Sequence, residues 1–156
     1  MFTNILVALD GSELAEKALP VARNLANSYD ATIHLVHAVS RQPELEAAQS
    51  TGHVNPQLVE VSLDLARRLI ETRQTRGQEY LDRVAAELTN AGLKVETAIL
   101  EGAADEQIIS YSTEHGVDLI VISTHGYGGV KRLLLGSVTD RVIRSCEVPV
   151  LVIPCS

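Results

Sequence analysis

Tryptophan is absent from this 156-residue chain, and Phe and Tyr together contribute five residues. Such a sequence offers no ready platform for stacking the bases of a single-stranded nucleic acid. Basic residues are in deficit, with 13 Lys+Arg against 20 Asp+Glu and a net charge of −7. That balance argues against a duplex-nucleic-acid binder or an anionic-membrane binder, both of which need a basic face. It leaves room for a small anion held locally by backbone N–H groups. Cysteine is scarce: Cys146 and Cys155 make neither a disulfide framework nor a metal-ligand spacing. The expected compartment is therefore reducing and cytoplasmic. No run approaches the roughly 18 apolar residues of a membrane span. Met1 to Asp10 lacks the basic, apolar and cleavage regions of a secretory signal.

Hydrophobic residues make up 46% and charged residues 21%, the balance of an ordinary globular protein rather than a disordered one. The length suits a single domain over 1–156. A chain of this size buries roughly 68–70% of its unfolded surface, enough for a core without staples.

Ile5 to Leu9 is a short apolar run stopped by Asp10-Gly11-Ser12, as a buried strand before a turn would be. Ser12 is placed to N-cap a helix whose apolar positions run from Leu14 to Ala26, with a local bend at Pro20. Thr32–Val39 reads as a second strand. Residues 41–56 are polar and without sustained period, a loop or excursion. A charged helical pattern follows from Leu58 to Asn90, capped near Gly92, with Gly77 as its expected weak point or break. Alternation at Val95, Thr97 and Ile99 predicts a third strand, and Ala103 to His115 a helix. Val117–Ile122 reads as a fourth strand, Ser137–Ser145 as a helix and Val148–Ile153 as a final strand.

Strands alternating with helices predict an α/β fold, a doubly wound parallel sheet covered on both faces. In such sheets ligands bind beyond the carboxyl ends of the strands, where the strand order reverses. With order 3-2-1-4-5, the reversal falls between the first and fourth strands. The loops that meet there carry Asp10-Gly11-Ser12 and the Gly-rich stretch Ser123 to Gly129. Glycines let backbone N–H groups approach phosphate oxygens. Gly136-Ser137-Val138-Thr139 opens a helix whose first N–H groups suit an anion. Asp10 is placed to accept from a ribose diol.

Structural readings stand beside these. The glycine loop also fits a tight turn, Gly136-Ser137 a helix cap, and Asp10 a cap on its own turn. His125 reads as a polar lining group and Cys146 as packing at a helix end. His34 and His37 fall on opposite faces of their strand and so do not form a metal pair.

The segment Ser123-Thr124-His125-Gly126, nine residues, then Gly136-Ser137 resembles the Gly-x2-Gly-x9-Gly-Ser/Thr motif of the universal stress protein family. Ile5 to Ser12, Leu119 to Ile122 and Val148 to Ile153 are similar to that family's strands. The likeness covers all but about residues 41–77. It implies an adenine-nucleotide alpha-hydrolase-like fold of five parallel strands in order 3-2-1-4-5. By the same resemblance, Ala8 and Ala38 would line the adenine side and Asp10 would meet the ribose. Ser123, Gly126 and the backbone of Tyr127, Gly128 and Gly129 would hold ribose and phosphates. Gly136, Ser137, Val138 and Thr139 would complete the phosphate site. The ligand would be ATP or AMP, with Mg²⁺ or Mn²⁺ accompanying the phosphates. The resemblance also implies a homodimer through the C-terminal strand, residues 148–153. One position departs from the motif: Ser123 stands where the first glycine is expected, adding a Cβ and a hydroxyl at the closest nucleotide approach.

The chain has no Walker loop, no dinucleotide Gly-x-Gly-x-x-Gly after its first strand and no acceptor Asp at the third strand's end. No residue stands out as a general base. The function expected is an adenine-nucleotide-binding regulatory stress-response protein with little or no turnover. The alternatives are a slow ATP-hydrolysing enzyme and a nucleotide-free dimeric interaction module.

Overall fold

The computed structural model describes residues 1–40, 56–124 and 135–154. Its elements follow in the order β1 (Asn4–Ala8), α1 (Glu13–Glu16), α2 (Leu19–Tyr29), β2 (Thr32–Val39), α3 (Pro56–Asn90), β3 (Lys94–Glu101), α4 (Ala104–Glu114), β4 (Leu119–Ser123), α5 (Ser137–Ser145) and β5 (Val150–Ile153). All neighbouring strands pair in parallel, in the order β3-β2-β1-β4-β5. This is the five-stranded α/β sheet that the alternating pattern predicts. Of the expected polar excursion at 41–56, residues 41–55 lie outside the described residues, and Pro56 opens α3.

The central strand explains the layering. Ile5, Leu6 and Val7 of β1 are fully buried, so both its faces need cover. Ile5 and Val7 join one core with Ile33 and Leu35 of β2, Leu119 and Val121 of β4, the alanines of α1 and α2, and Leu81, Val84 and Leu88 of α3. Leu6 joins the other with Val36, Ile120 and Ile122, against Ile108 and Tyr111 of α4 and Val142 of α5. Each fully buried Leu, Ile or Val contributes about 1.5–3 kcal/mol of burial free energy. The alternation between the two cores follows from strand parity.

At the amino end of the sheet, Asp118 ties β1 to β4. Its carboxylate accepts from Thr3 N and Thr3 Oγ1 at 2.7 Å each and from Asn4 N at 3.2 Å. Partial burial works against the charged form. The hydrogen bonds from Thr3, Asn4 and its own N–H outweigh it and hold the carboxyl below its ordinary range.

Two expectations are corrected. Leu14 to Ala26 is not one bent helix but two, because the backbone turns at Lys17 and Ala18 and Pro20 sits in the first turn of α2. Proline is tolerated there because the N–H it lacks has no intrahelical acceptor in any case. Gly77 does not break α3, which runs unbroken from Pro56 to Asn90. Gly77 is instead buried where α3 crosses the sheet. A Cβ there would stand 2.8 Å from His37 Cδ2 and 3.0 Å from Ile99 Cδ1. The glycine allows close helix–sheet approach.

Strand ends shift by one or two residues. β1 begins at Asn4 and ends at Ala8, β4 runs to Ser123, and β5 begins at Val150. α3 begins at Pro56 rather than Leu58.

Candidate functional site

The carboxyl ends of β1 and β4 lie side by side, because these strands pair directly while β2 leads away on the other side. After β1, Leu9 N still donates to Val36 O at 2.9 Å, which carries the sheet one residue further. The chain then turns through Asp10-Gly11-Ser12, with Gly11 at φ +85°, a conformation costly for any residue with a Cβ. Asp10 Oδ1 accepts from Ser12 N at 2.9 Å and from Ser12 Oγ at 2.5 Å. Ser12 Oγ in turn accepts from Ala15 N at 3.1 Å and caps α1. The turn-cap reading of Asp10 therefore holds, and the same residue faces the crevice.

A cavity of about 530 Å³ opens at this reversal. Its floor is the apolar strand ends Ala8, Val36, Ala38 and Ile122, with Ser123 at the tip of β4. One wall is the start of α4, through Ala104 and Ile108; Leu9, Asp10 and Ala15 form the side toward α1. The opposite wall is Leu135 and the start of α5: Gly136, Ser137, Val138 and Thr139.

The polar groups of this wall are arranged for an incoming acceptor. Gly136 N-caps α5 without any side-chain cap. The first N–H groups of a helix have no intrahelical acceptor and carry its positive dipole end. Thr139 and Ser123 are each only 3% exposed. Their hydroxyls have no hydrogen-bond partner among the described residues. A buried, unpartnered hydroxyl is uncommon and points to water or a ligand. Across the mouth, Arg141 of α5 lies 3.5 Å from Asp105 of α4, which ties the two walls together.

Of the residues singled out from the sequence, Ala8, Asp10, Ala38, Ser123, Gly136, Ser137, Val138 and Thr139 all line this one cavity. Gly126, Tyr127, Gly128, Gly129, His125 and Cys155 lie outside the described residues. Val36 and Ile122 were legible by parity, two residues before Ala38 and on the same sheet face as Ala8, but were not singled out. Ala104 and Ile108 have no local sequence signal; only packing brings α4 to the cavity. His34 and His37 do fall on opposite faces: His34 meets Tyr111 of α4, whereas His37 meets Tyr80 of α3. Cys146 caps the end of α5 and packs against the second core.

A model of the universal stress protein family matches residues 1–154. The chain belongs to the universal stress protein family. Its match to the universal stress protein MJ0531 of Methanocaldococcus jannaschii is 31% identical over 153 residues, covering 98% of this chain and 82% of that protein. The solved structure of MJ0577 from the same organism is 29% identical, with a TM-score of 0.74 over 100% of this chain and 98% of that one. A universal stress protein from Archaeoglobus fulgidus, solved in complex with dAMP, shares the fold at 21% identity and TM-score 0.62, covering 97% of each chain. The order β3-β2-β1-β4-β5 is thus that of a universal stress protein. Among the described residues, no helix is long and apolar enough to cross a membrane.

Proposed function

We propose that this member of the universal stress protein family binds an adenine nucleotide, ATP or AMP, in the crevice between β1 and β4. It acts as a single cytoplasmic regulatory domain in a stress response, with little or no turnover. The observation that carries this reading is the convergence at the 530 Å³ cavity of three kinds of surface. Apolar strand ends suit a base, the Asp10 carboxylate suits a ribose diol, and the uncapped start of α5 suits phosphate. The dAMP complex of the Archaeoglobus fulgidus protein is a fold-level parallel and supports the same class of ligand.

In this reading Ala8 and Ala38 lie against the adenine and Asp10 accepts from a ribose hydroxyl. Ser137, Val138 and Thr139 donate to the phosphates from the first turn of α5. Ser123 borders the ribose, and by the family resemblance Gly126, Tyr127, Gly128 and Gly129, outside the described residues, would help to hold ribose and phosphates. A Mg²⁺ or Mn²⁺ ion would accompany the phosphates, bound chiefly by their oxygens and by water. The buried hydroxyl of Thr139 fits this assignment, since a phosphate oxygen supplies the acceptor it lacks.

The edge position of β5 supports a homodimer. Among the described residues β5 pairs only with β4, and Leu151 is 36% exposed. An apolar edge of that kind pairs readily with a second copy.

Nucleotide identity and stoichiometry in protein purified without added ligand test the reading. Calorimetric titration with AMP, and with ATP plus Mg²⁺, completes it. Saturable binding at one site per chain is the result expected; no binding at millimolar nucleotide overturns it.

A further inference from the structure

The amino half of the second core holds a buried titratable group that plays no part in the cavity. His34 of β2 is 4% exposed. Its Nε2 lies 3.2 Å from Asn4 Oδ1 and its Nδ1 lies 3.1 Å from the Tyr111 hydroxyl. Asn4 Nδ2 donates to Gly116 O at 3.2 Å, so its Oδ1 faces His34 as an acceptor. Nε2 therefore carries the ring hydrogen, and Nδ1 accepts from the Tyr111 O–H. Nδ1 has a second neighbour, Glu96 Oε2 of β3, at 3.6 Å.

The groups around the ring come from every element packed on it. β3 presents Glu96, α4 presents Tyr111 and its C-cap His115, and β1 presents neutral Asn4, with Asp118 behind it on Asn4 N. His115 stacks on Tyr111 at 3.8 Å and 13°, and its ring centroid is 6.2 Å from that of His34. Tyr111 is thus held from both sides, and through it the carboxyl end of α4. One and two turns earlier on the same helix, Ile108 and Ala104 line the cavity. Residues three apart share a helix face, so a change in the seat of Tyr111 reaches Ile108 directly.

We propose that His34, Tyr111 and Glu96 form a proton-operated catch. It holds the carboxyl end of α4 in neutral solution, loosens it on acidification, and so weakens ligand binding at the other end of the helix. A proton arriving at Nδ1 removes the acceptor of the Tyr111 hydroxyl, because Nδ1–H is itself a donor. The new donor turns to the Glu96 carboxylate or forces Tyr111 to reverse its hydrogen bond. A ring charged in this way stands in a buried site, where the charged form is costly. Burial, opposed by Glu96 and reinforced by His115, lowers the proton affinity of His34 below its ordinary value. Burial and Glu96 raise that of the Tyr111 phenol, which keeps Tyr111 a donor. The open state, with His34 near its ordinary value of about 6.5, therefore binds more protons than the closed one. Closure is fully favoured above that value and weakens as pH falls below it.

The ligand arm of this proposal rests on the nucleotide reading; the helix arm does not. Amide hydrogen exchange of the ligand-free protein at pH 7.5 and 5.0, corrected for intrinsic rates, tests the helix arm. Exchange across residues 109–115 should rise selectively over that of α2, by about tenfold for each unit separating the closed and open affinities of His34. His34→Gln should abolish the selective rise. Glu96→Gln changes an exposed side chain and leaves the core intact; it should move the NMR titration midpoint of His34 to lower pH. AMP titrations at the two pH values read the ligand arm: affinity should fall at pH 5.0 in the native chain and change less in His34→Gln. A His34 ring that titrates without any change at Tyr111 overturns the proposal. So does an α4 response equal in native and His34→Gln chains. Absence of binding of both AMP and ATP plus Mg²⁺ at both pH values, with the exchange response intact, overturns the nucleotide reading and the ligand arm while the helix arm stands.

Discussion

Gly77 and His37 meet so closely that a methyl group on the glycine would stand 2.8 Å from the His37 Cδ2 atom. His37 has little freedom to move aside, because its Nδ1 donates to Leu9 O at 2.9 Å and so anchors the ring to the end of β1. Alanine is the better helix former by about 1 kcal/mol. Overpacking of a fixed neighbour costs about 1–3 kcal/mol. Gly77→Ala should therefore destabilise the protein by up to roughly 2 kcal/mol, read as a lower urea midpoint with an unchanged slope. A gain in stability would show that α3 is free to stand off the sheet.

Asp10 serves its turn and faces the cavity, and two substitutions separate these roles. Ser12→Ala removes the α1 cap and should cost about 1 kcal/mol of stability with nucleotide affinity nearly unchanged. Asp10→Ala removes both the turn contacts and the acceptor for ribose. It should also weaken nucleotide binding by about tenfold or more, the value of a hydrogen bond to a charged group. Calorimetry on both variants, with thermal melts, checks the difference. Equal affinity in Asp10→Ala and the native chain would remove Asp10 from the site.

Thr139 gives an inverse expectation. Its hydroxyl is buried without a partner among the described residues, so Thr139→Val should leave the ligand-free protein as stable as before, or up to about 1 kcal/mol more stable. The same variant should bind nucleotide less tightly. A clear loss of stability without ligand would mean that the hydroxyl is already satisfied.

Asp118 dictates an acid limit. Its carboxyl is held below the ordinary range in the folded chain. The folded state then binds fewer protons than the unfolded one near and below that range. The stabilisation is complete above the unfolded value and is lost as pH falls through the folded one. Asp118→Asn should flatten the loss of stability between pH 5 and 2, approximately the window of an ordinary carboxyl and below. Denaturation followed across that window by circular dichroism decides it.

β5 carries the assembly prediction. Light scattering at micromolar concentration should give the mass of two chains, and Leu151→Lys, a charge on the exposed edge, should shift it toward one. A native monomer contradicts the edge-pairing account.

Much of this was legible in the sequence for identifiable reasons. Thr32–Val39 and Ser137–Ser145 were placed to the residue because strong apolar patterning ends there at good punctuation. The crevice was legible because topology alone brings the ends of β1 and β4 together. Gly77 was misread because local propensity penalises glycine in a helix and carries no information about His37 on another element. Pro20 was misread because a face resuming beyond a proline looks the same in one bent helix and in two successive ones. The walls contributed by Ala104 and Ile108, and the bonds from His34 to Tyr111 and Asn4, depend on residues tens of positions apart. No local period encodes them.

The central claim is nucleotide binding at the β1–β4 crevice. The most direct measurement is calorimetric titration of the purified protein with AMP and with ATP plus Mg²⁺, preceded by extraction and identification of any nucleotide that co-purifies. The account predicts one adenine nucleotide per chain, with affinity reduced in Asp10→Ala and Thr139→Val. No heat of binding and no co-purified nucleotide, in protein that melts cooperatively, would contradict it.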